Sequence, residues 1–182
     1  TKADCELRSL NFPVKWFASP IRLALGIRKP RNPILGGYIA GEVEAVGSKV
    51  NKFKIGDRVF GSTGFRFGGY GEYVCVSQDS SLIKLDEQID YSTAAASILG
   101  GLNALHFLNL ANLKTGESIL INGAGGSIGS FAVQIAKAQG ANVTAIDASH
   151  KQQFIEQLGA DAFIDYQQTS LATINQQFDV VF

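Results

Sequence analysis

Apolar and polar positions follow two rhythms in this chain, and the change between them falls near residue 90. Residues Ile39-Ala40-Gly41-Glu42-Val43-Glu44-Ala45-Val46-Gly47 alternate, which predicts a half-buried strand. Gly47-Ser48 and Gly56-Asp57 are turn signals. Further strands are predicted at Arg58–Gly61, Tyr70–Val76 and Ser81–Lys84. Short strands with turns at regular spacing predict a small barrel or sandwich. The opening is harder to read. Thr1 to Leu10 fits a helical turn, with Thr1 and Asp4 in a capping pattern. Pro13, Pro20, Pro30 and Pro33 then hold all the proline of the chain, which predicts a surface excursion with a short helix over 21–25.

From Tyr91 the period becomes helical. Ala94 to Leu113 is strongly apolar but carries Asn103, His106, Asn109 and Asn112, so it predicts a core helix or helix pair, not a membrane span. Ser118–Asn122 is an uncharged apolar run, the mark of a buried strand. Apolar residues at helical spacing follow at Ile128, Phe131, Ala132, Ile135 and Ala136, as far as Gln139. Asn142–Asp147 predicts a second strand, Lys151–Leu158 a helix closed by Gly159, and Ala162–Asp165 a third strand. A weaker helix is predicted near Leu171–Gln176 and a fourth strand over Asp179–Phe182. Strands alternating with helices imply a parallel sheet. The expected organisation is a β-rich domain over residues 1–90 and an α/β domain over 91–182.

Composition narrows the class without adding chemistry. Of 182 residues, 46% are hydrophobic and 18% charged, and sixteen basic residues balance sixteen acidic ones. That balance gives no reason to expect nucleic acid or an anionic membrane as partner. Cys5 and Cys75 have no metal-like spacing, so a cytoplasmic, reducing compartment is expected. The chain starts at Thr1, contains no methionine and ends on an apolar strand, which suggests a piece of a longer protein.

The candidate chemistry sits between the first two strands of the α/β half. Gly123-Ala124-Gly125-Gly126-Ser127-Ile128-Gly129 joins a strand to a helix, and Asp147 ends the next strand. Backbone amides at a helix N-terminus suit a pyrophosphate, because the helix dipole favours an anion there. Gly126 and Gly129 stand where close phosphate approach and helix–strand packing need small residues. The strict G-x-G-x-x-G spacing fails by one residue at Ala124, with Gly123 and Gly125 on either side. No lysine follows Gly129, so the turn is not a Walker phosphate loop, and Ser127 stands where a methyltransferase loop prefers glycine. No Tyr-x-x-x-Lys occurs, which argues against a short-chain dehydrogenase site. Asp147 can accept bonds from adenosine ribose hydroxyls and repel a 2′-phosphate, while His150 and Lys151 lie close enough to meet one. The balance favours NADH slightly over NADPH. A second segment, Gly61 to Tyr70, is glycine-rich with interleaved aromatics. It predicts either a loop offering rings to a flat substrate or a cover for the edge of the β domain.

The order of motifs resembles the medium-chain dehydrogenase/reductase superfamily. The resemblance rests on Ala40-Gly41-Glu42-Val43-x-x-Val46-Gly47, Gly56-Asp57-Arg58-Val59, the glycine-rich turn and Leu158-Gly159-Ala160-Asp161. It covers nearly the whole chain and is nearest the zinc-independent quinone oxidoreductase-like branch. The resemblance implies a GroES-like β-barrel domain followed by part of a Rossmann doubly wound parallel sheet, without the first strands of the one or the last strands of the other. Zinc-dependent members carry a cysteine where Thr1 aligns, Gly-His-Glu where Gly36-Gly37-Tyr38 stands, and a cysteine near Leu99. None of these ligands is present, so no zinc is expected.

The resemblance also implies an activity: hydride transfer from NAD(P)H to a quinone or α,β-unsaturated carbonyl, acceptors that delocalise the incoming charge without a Lewis acid. It lines the substrate cleft from the segment of Thr1, Asp4 and Glu6, where quinone reductases often carry Asn, Asp and Tyr. Asp4 keeps the acid, and its bland alternative is an N-cap or an ion pair with Arg8. Glu6 departs from the pattern. A homodimer is expected of the full-length enzyme. Two other readings remain open: an alcohol dehydrogenase-type enzyme acting on alcohols or aldehydes, and a nucleotide-binding protein without catalysis.

Overall fold

The computed structural model describes residues 2–9, 20, 23, 26 and 32–182, and the chain divides into two compact units, 1–95 and 96–182. The first unit contains helix α1 (Lys2–Ser9) and strands β1 (Tyr38–Glu42), β2 (Arg58–Ser62) and β3 (Leu82–Lys84). They pair antiparallel in the order β1-β2-β3, with Tyr38 opposite Ser62 and Phe60 opposite Ile83. The motif at residues 56–59 is a clamp. Lys54 N–H donates to the Asp57 carboxylate at 2.9 Å, and Lys84 pairs with it at 2.8 Å. Arg58 donates to the carbonyls of Asp86 and Ile89 at 2.8 and 2.7 Å, and its guanidinium lies 4.5 Å from the centre of the Tyr91 ring.

Two expected strands differ. The alternating run from Ile39 pairs only as far as Glu42. Beyond it Val43 N–H donates to Asp57 and its carbonyl accepts from Gly56, so the ladder gives way to a loop. Tyr70–Val76 is not a strand, because its alternation has no ladder partner. The amides of Gly68, Gly69 and Tyr70 instead donate to Ile34, Gly36 and Leu35, and Gly71 closes a turn on Gly68. Thr1, and the helix expected over 21–25 apart from Leu23, fall outside the described residues.

In the second part of the chain, α2 (Tyr91–Ala111) is one continuous helix that ends where Asn112 takes a left-handed φ of 53°. After it come β4 (Ser118–Asn122), α3 (Ser127–Ala138), β5 (Asn142–Asp147), α4 (Gln152–Gln157), β6 (Ala162–Asp165) and β7 (Val180–Val181). The sheet is parallel throughout, in the order β6-β5-β4-β7. Ile119 and Ile121 from β4, Val143 and Ala145 from β5, Ala132, Val133 and Ala136 from α3, and Ala104 and Leu108 from α2 form one core. Each large aliphatic side chain buried there contributes roughly 1.5–3 kcal/mol. β5 is buried at every position after Asn142, as a strand covered on both faces should be.

The helix expected near Leu171–Gln176 is only a single 3-10 turn at Leu171–Thr173, and β7 is shorter than the expected Asp179–Phe182. The cause is Asp179. Its carboxylate accepts from the Ser118 amide at 2.8 Å and the Ser118 hydroxyl at 2.7 Å, which pins the chain to the start of β4. Residues 174–178 between the turn and Asp179 carry no regular element.

Candidate functional site

The glycine turn is shaped by its own hydrogen bonds. Gly123 and Ala124 N–H both donate to the Ile146 carbonyl, at 2.9 and 3.1 Å, and Gly126 N–H returns to the Gly123 carbonyl at 2.9 Å. Gly125 N–H donates to Asp147 Oδ2 at 2.8 Å. These four amides are therefore committed. The expectation that the whole bend offers its amides narrows to the first turn of α3. There the amides of Ser127, Ile128 and Gly129 make no hydrogen bond among the described residues, and no side chain caps the helix. Gly129 is buried, whereas Ser127 is exposed and Ile128 half-buried. A pair of unbonded amides at a helix N-terminus, on residues that are not buried, is a seat for an anionic oxygen.

Gly129 explains how α3 comes so close to the turn. A Cβ there would stand 2.2 Å from the Gly123 carbonyl oxygen and 2.7 Å from Ala124 Cα. Only a residue without a side chain lets the helix start where it does. Gly126 is less constrained, since a Cβ there would meet only the Gly123 oxygen, at 3.2 Å.

Asp147 closes β5 with its side chain turned into the turn. It is 4% exposed. Oδ2 accepts from Gly125, while Oδ1 accepts from Ala148 N–H at 2.8 Å and pairs with Lys151 Nζ at 2.9 Å. Burial acts to raise its pKa, but the Ala148 amide, the Lys151 ammonium and the Gly125 amide outweigh it and hold the carboxyl below its ordinary value. The Lys151 side chain is partly exposed.

These features have counterparts in known proteins. Residues 16–87 match a family model described as "Alcohol dehydrogenase GroES-like domain", and residues 127–182 match one described as "Zinc-binding dehydrogenase". The whole chain superposes on 55% of the quinone oxidoreductase of Coxiella burnetii, with a TM-score of 0.82 and 32% identity. The chain belongs to the medium-chain dehydrogenase/reductase superfamily. Its GroES-like domain and parallel Rossmann-type sheet are those of that superfamily. A quinone oxidoreductase of Pseudomonas aeruginosa is 38% identical over 165 residues, which are 90% of this chain and 49% of that one. An Escherichia coli quinone oxidoreductase, solved in complex with NADPH, is 32% identical with a TM-score of 0.70, over 82% of this chain and 47% of that one. The chain thus spans about half the length of the relatives it matches.

Within this superfamily member, the residues singled out from sequence fall into two groups. Gly123, Ala124, Gly125, Gly126, Ser127, Ile128, Gly129, Asp147 and Lys151 come together around one turn. Asp4 lies elsewhere, on α1 in the first unit, and Thr1 lies outside the described residues. Asp4 is buried, and Tyr70 of the same unit lies near enough to feel its carboxylate. Tyr70 was visible in the sequence only as one ring of the aromatic segment. It brings a phenol to the acid of α1 that Glu6 does not supply. Partial desolvation raises the Tyr70 pKa, and so does the nearby Asp4 carboxylate. Of the rings in the glycine-rich segment, Phe65 is 92% exposed and Tyr70 is exposed, while Phe67 is half-buried. Among the described residues no three His, Cys, Asp or Glu side chains converge as metal ligands would.

Proposed function

We propose that the chain carries the dinucleotide-binding part and a share of the substrate part of a reductase that uses NAD(P)H to reduce a quinone or an α,β-unsaturated carbonyl without a catalytic metal. The observation that carries the proposal is the pair of open amides at Ser127 and Ile128, held in place by a turn whose other amides are bonded inward. Those two amides would take the pyrophosphate oxygens, with the α3 dipole adding to the attraction. Gly129 keeps the helix start against the turn, and Gly126 leaves room for the phosphate. The nicotinamide, when bound, supplies the hydride. Asp4 and Tyr70 offer a neighbouring acid and phenol on the first unit, the candidate group for orienting the acceptor oxygen.

The choice between NADH and NADPH turns on Asp147 and Lys151. A bare carboxylate would favour NADH. The ion pair at 2.9 Å neutralises that carboxylate, and the half-exposed ammonium can meet a 2′-phosphate. We therefore assign either dinucleotide, with NADPH the better served. The proposal also treats α2 as a core helix although it is long and apolar enough to cross a membrane, because Ala104 and Leu108 lie in the core. A functional division at residue 90, a cytoplasmic location, a small-molecule acceptor and a homodimer in the full-length protein belong to the same proposal.

The test is NADPH and NADH oxidation by the full-length protein with a quinone or an enone, with and without chelator. The proposal expects turnover that a chelator leaves unchanged. Chelator-sensitive alcohol oxidation would replace it with an alcohol dehydrogenase. Tight cofactor binding without turnover on any acceptor would point to a non-catalytic relative.

A further inference from the structure

Helix α2 meets the first turn of α3 at Gly100, and both sides of this contact lie in the second unit. Gly100 is buried. A Cβ there would stand 2.5 Å from the Ser127 carbonyl oxygen, 2.7 Å from Phe131 Cδ2 and 2.8 Å from Ser127 Oγ. The hydroxyl can rotate away, but the carbonyl oxygen is backbone and moves only with the helix. The next residue, Gly101, has room. A Cβ there would meet the Phe131 ring at 3.7 and 3.9 Å, which is ordinary contact. Neither glycine takes a left-handed φ, and alanine is the better helix former at both positions. Gly100 is thus required by space and not by backbone conformation.

We infer that Gly100 is a positioning residue for the dinucleotide: the bare backbone of α2 at this point fixes, from outside the glycine turn, where the Ser127 and Ile128 amides stand. The inference rests on the proposed dinucleotide site for its functional meaning, but the contact belongs to the chain without cofactor. The start of α3 is held from two sides. Successive residues of a helix turn by about 100°, so Gly129 points about 200° away from Ser127. Gly129 lies against the Gly123 carbonyl, while Ser127 and Phe131, one turn apart, form the stripe that lies on Gly100. A methyl on Gly100 would have to move Ser127 by 3.4 − 2.5, about 0.9 Å, to reach ordinary contact. The turn on the far side blocks that retreat, since α3 fits there only because Gly129 is bare. A charge-assisted bond spans about 2.7–2.9 Å, so a displacement of that size spoils it.

Two neighbouring glycines of one helix supply the test and its control. In the full-length protein, Gly100→Ala should weaken NADPH and NADH together, each by about ten-fold or more, the loss of one hydrogen bond to a charged oxygen. Gly101→Ala adds the same methyl to the same helix without pressing on Ser127. It should fold at least as firmly as wild type and bind both cofactors within about two-fold, a change worth well under one hydrogen bond. A purely structural role for Gly100 would lower stability and leave the affinity of the folded protein unchanged. Without cofactor, the Ser127 and Ile128 amide resonances should move in Gly100→Ala and stay in place in Gly101→Ala. If Gly100→Ala does not fold, the wild type carries the test: its Gly100 resonances should move on NADPH binding together with those of Ser127. Unchanged affinity in Gly100→Ala, equal loss in the two variants, or Gly100 resonances unmoved at saturating NADPH would each overturn the inference. If the wild type bound neither dinucleotide, the functional reading would fall, and the cofactor-free Ser127 resonances of the two variants would still decide whether Gly100 sets the helix start.

Discussion

Gly129 and Gly126 look alike in sequence and differ sharply in space. Gly129→Ala places a methyl 2.2 Å from the Gly123 carbonyl oxygen, where ordinary contact begins at 3.4 Å. The start of α3 must therefore move by 3.4 − 2.2, about 1.2 Å, or the turn must open. None of the three clashing atoms belongs to a flexible side chain, since all are backbone. Overpacking of this kind costs about 1–3 kcal/mol, and the shift carries the Ser127 and Ile128 amides with it. Gly126→Ala meets the same oxygen at 3.2 Å, a gap that a few tenths of an ångström relieves. Thermal or urea unfolding without cofactor should show Gly129→Ala losing about 1–3 kcal/mol and Gly126→Ala within about 0.5 kcal/mol of wild type. Cofactor titration followed by nicotinamide fluorescence should then show both variants weakened, Gly126→Ala through the phosphate alone. Wild-type stability in Gly129→Ala would refute the packing account. Equal loss of stability in the two variants would refute it as well.

Asp161 and Tyr70 give two further tests. The Asp161 carboxylate accepts from the Val143 amide at 2.7 Å and pairs with Lys137 at 2.8 Å. Asp161→Ala should cost about 1–2 kcal/mol, nearly all from the orphaned amide, since a half-exposed ion pair contributes little. The Lys137 bond chiefly, with the Val143 amide, holds this carboxyl below its ordinary pKa against the opposing effect of burial. A lowered carboxyl pKa stabilises the fold above the unfolded value and is lost as pH falls through the folded one. The gap between wild type and variant should therefore be full at neutral pH and narrow as pH falls below about 4; a gap that does not narrow there would contradict the assignment. For Tyr70, desolvation and then Asp4 raise the phenol pKa above 10.0, so Asp4→Asn should move one tyrosine titration to lower pH in the phenolate absorbance, and no movement would separate the two residues.

The α/β half was legible because its signals are local. Ile119 and Ile121 on one face of a strand, helical spacing from Ile128 to Ala136, and Gly159 after Leu158 each report on a few neighbouring residues. The β half was less so. Alternation from Tyr70 to Val76 shows which side chains share a face, but a strand also needs a partner, and the amides of 68–70 are drawn to residues 34–36. The polar stretch after Thr173 suggests a helix because nothing local shows that Asp179 is tied to Ser118. At the site, spacing alone points to the glycines and Asp147, yet not to their division of labour. That Asp147 faces Gly125 depends on the register of β4 against β5, which pairs Asn122 with Ile146 and leaves the next residue beside the turn. Tyr70 reaching Asp4 depends on a fold of the glycine-rich segment that no period announces.

The open amides of Ser127 and Ile128 are the seat on which the dinucleotide assignment stands. Amide chemical shifts and exchange rates, recorded residue by residue with and without NADPH, test this most directly. Ser127 and Ile128 should show the largest shifts in the turn and become protected from exchange, while Gly123 and Ala124 change little. Shifts centred away from residues 123–129, with Ser127 and Ile128 unmoved at saturating cofactor, would contradict it.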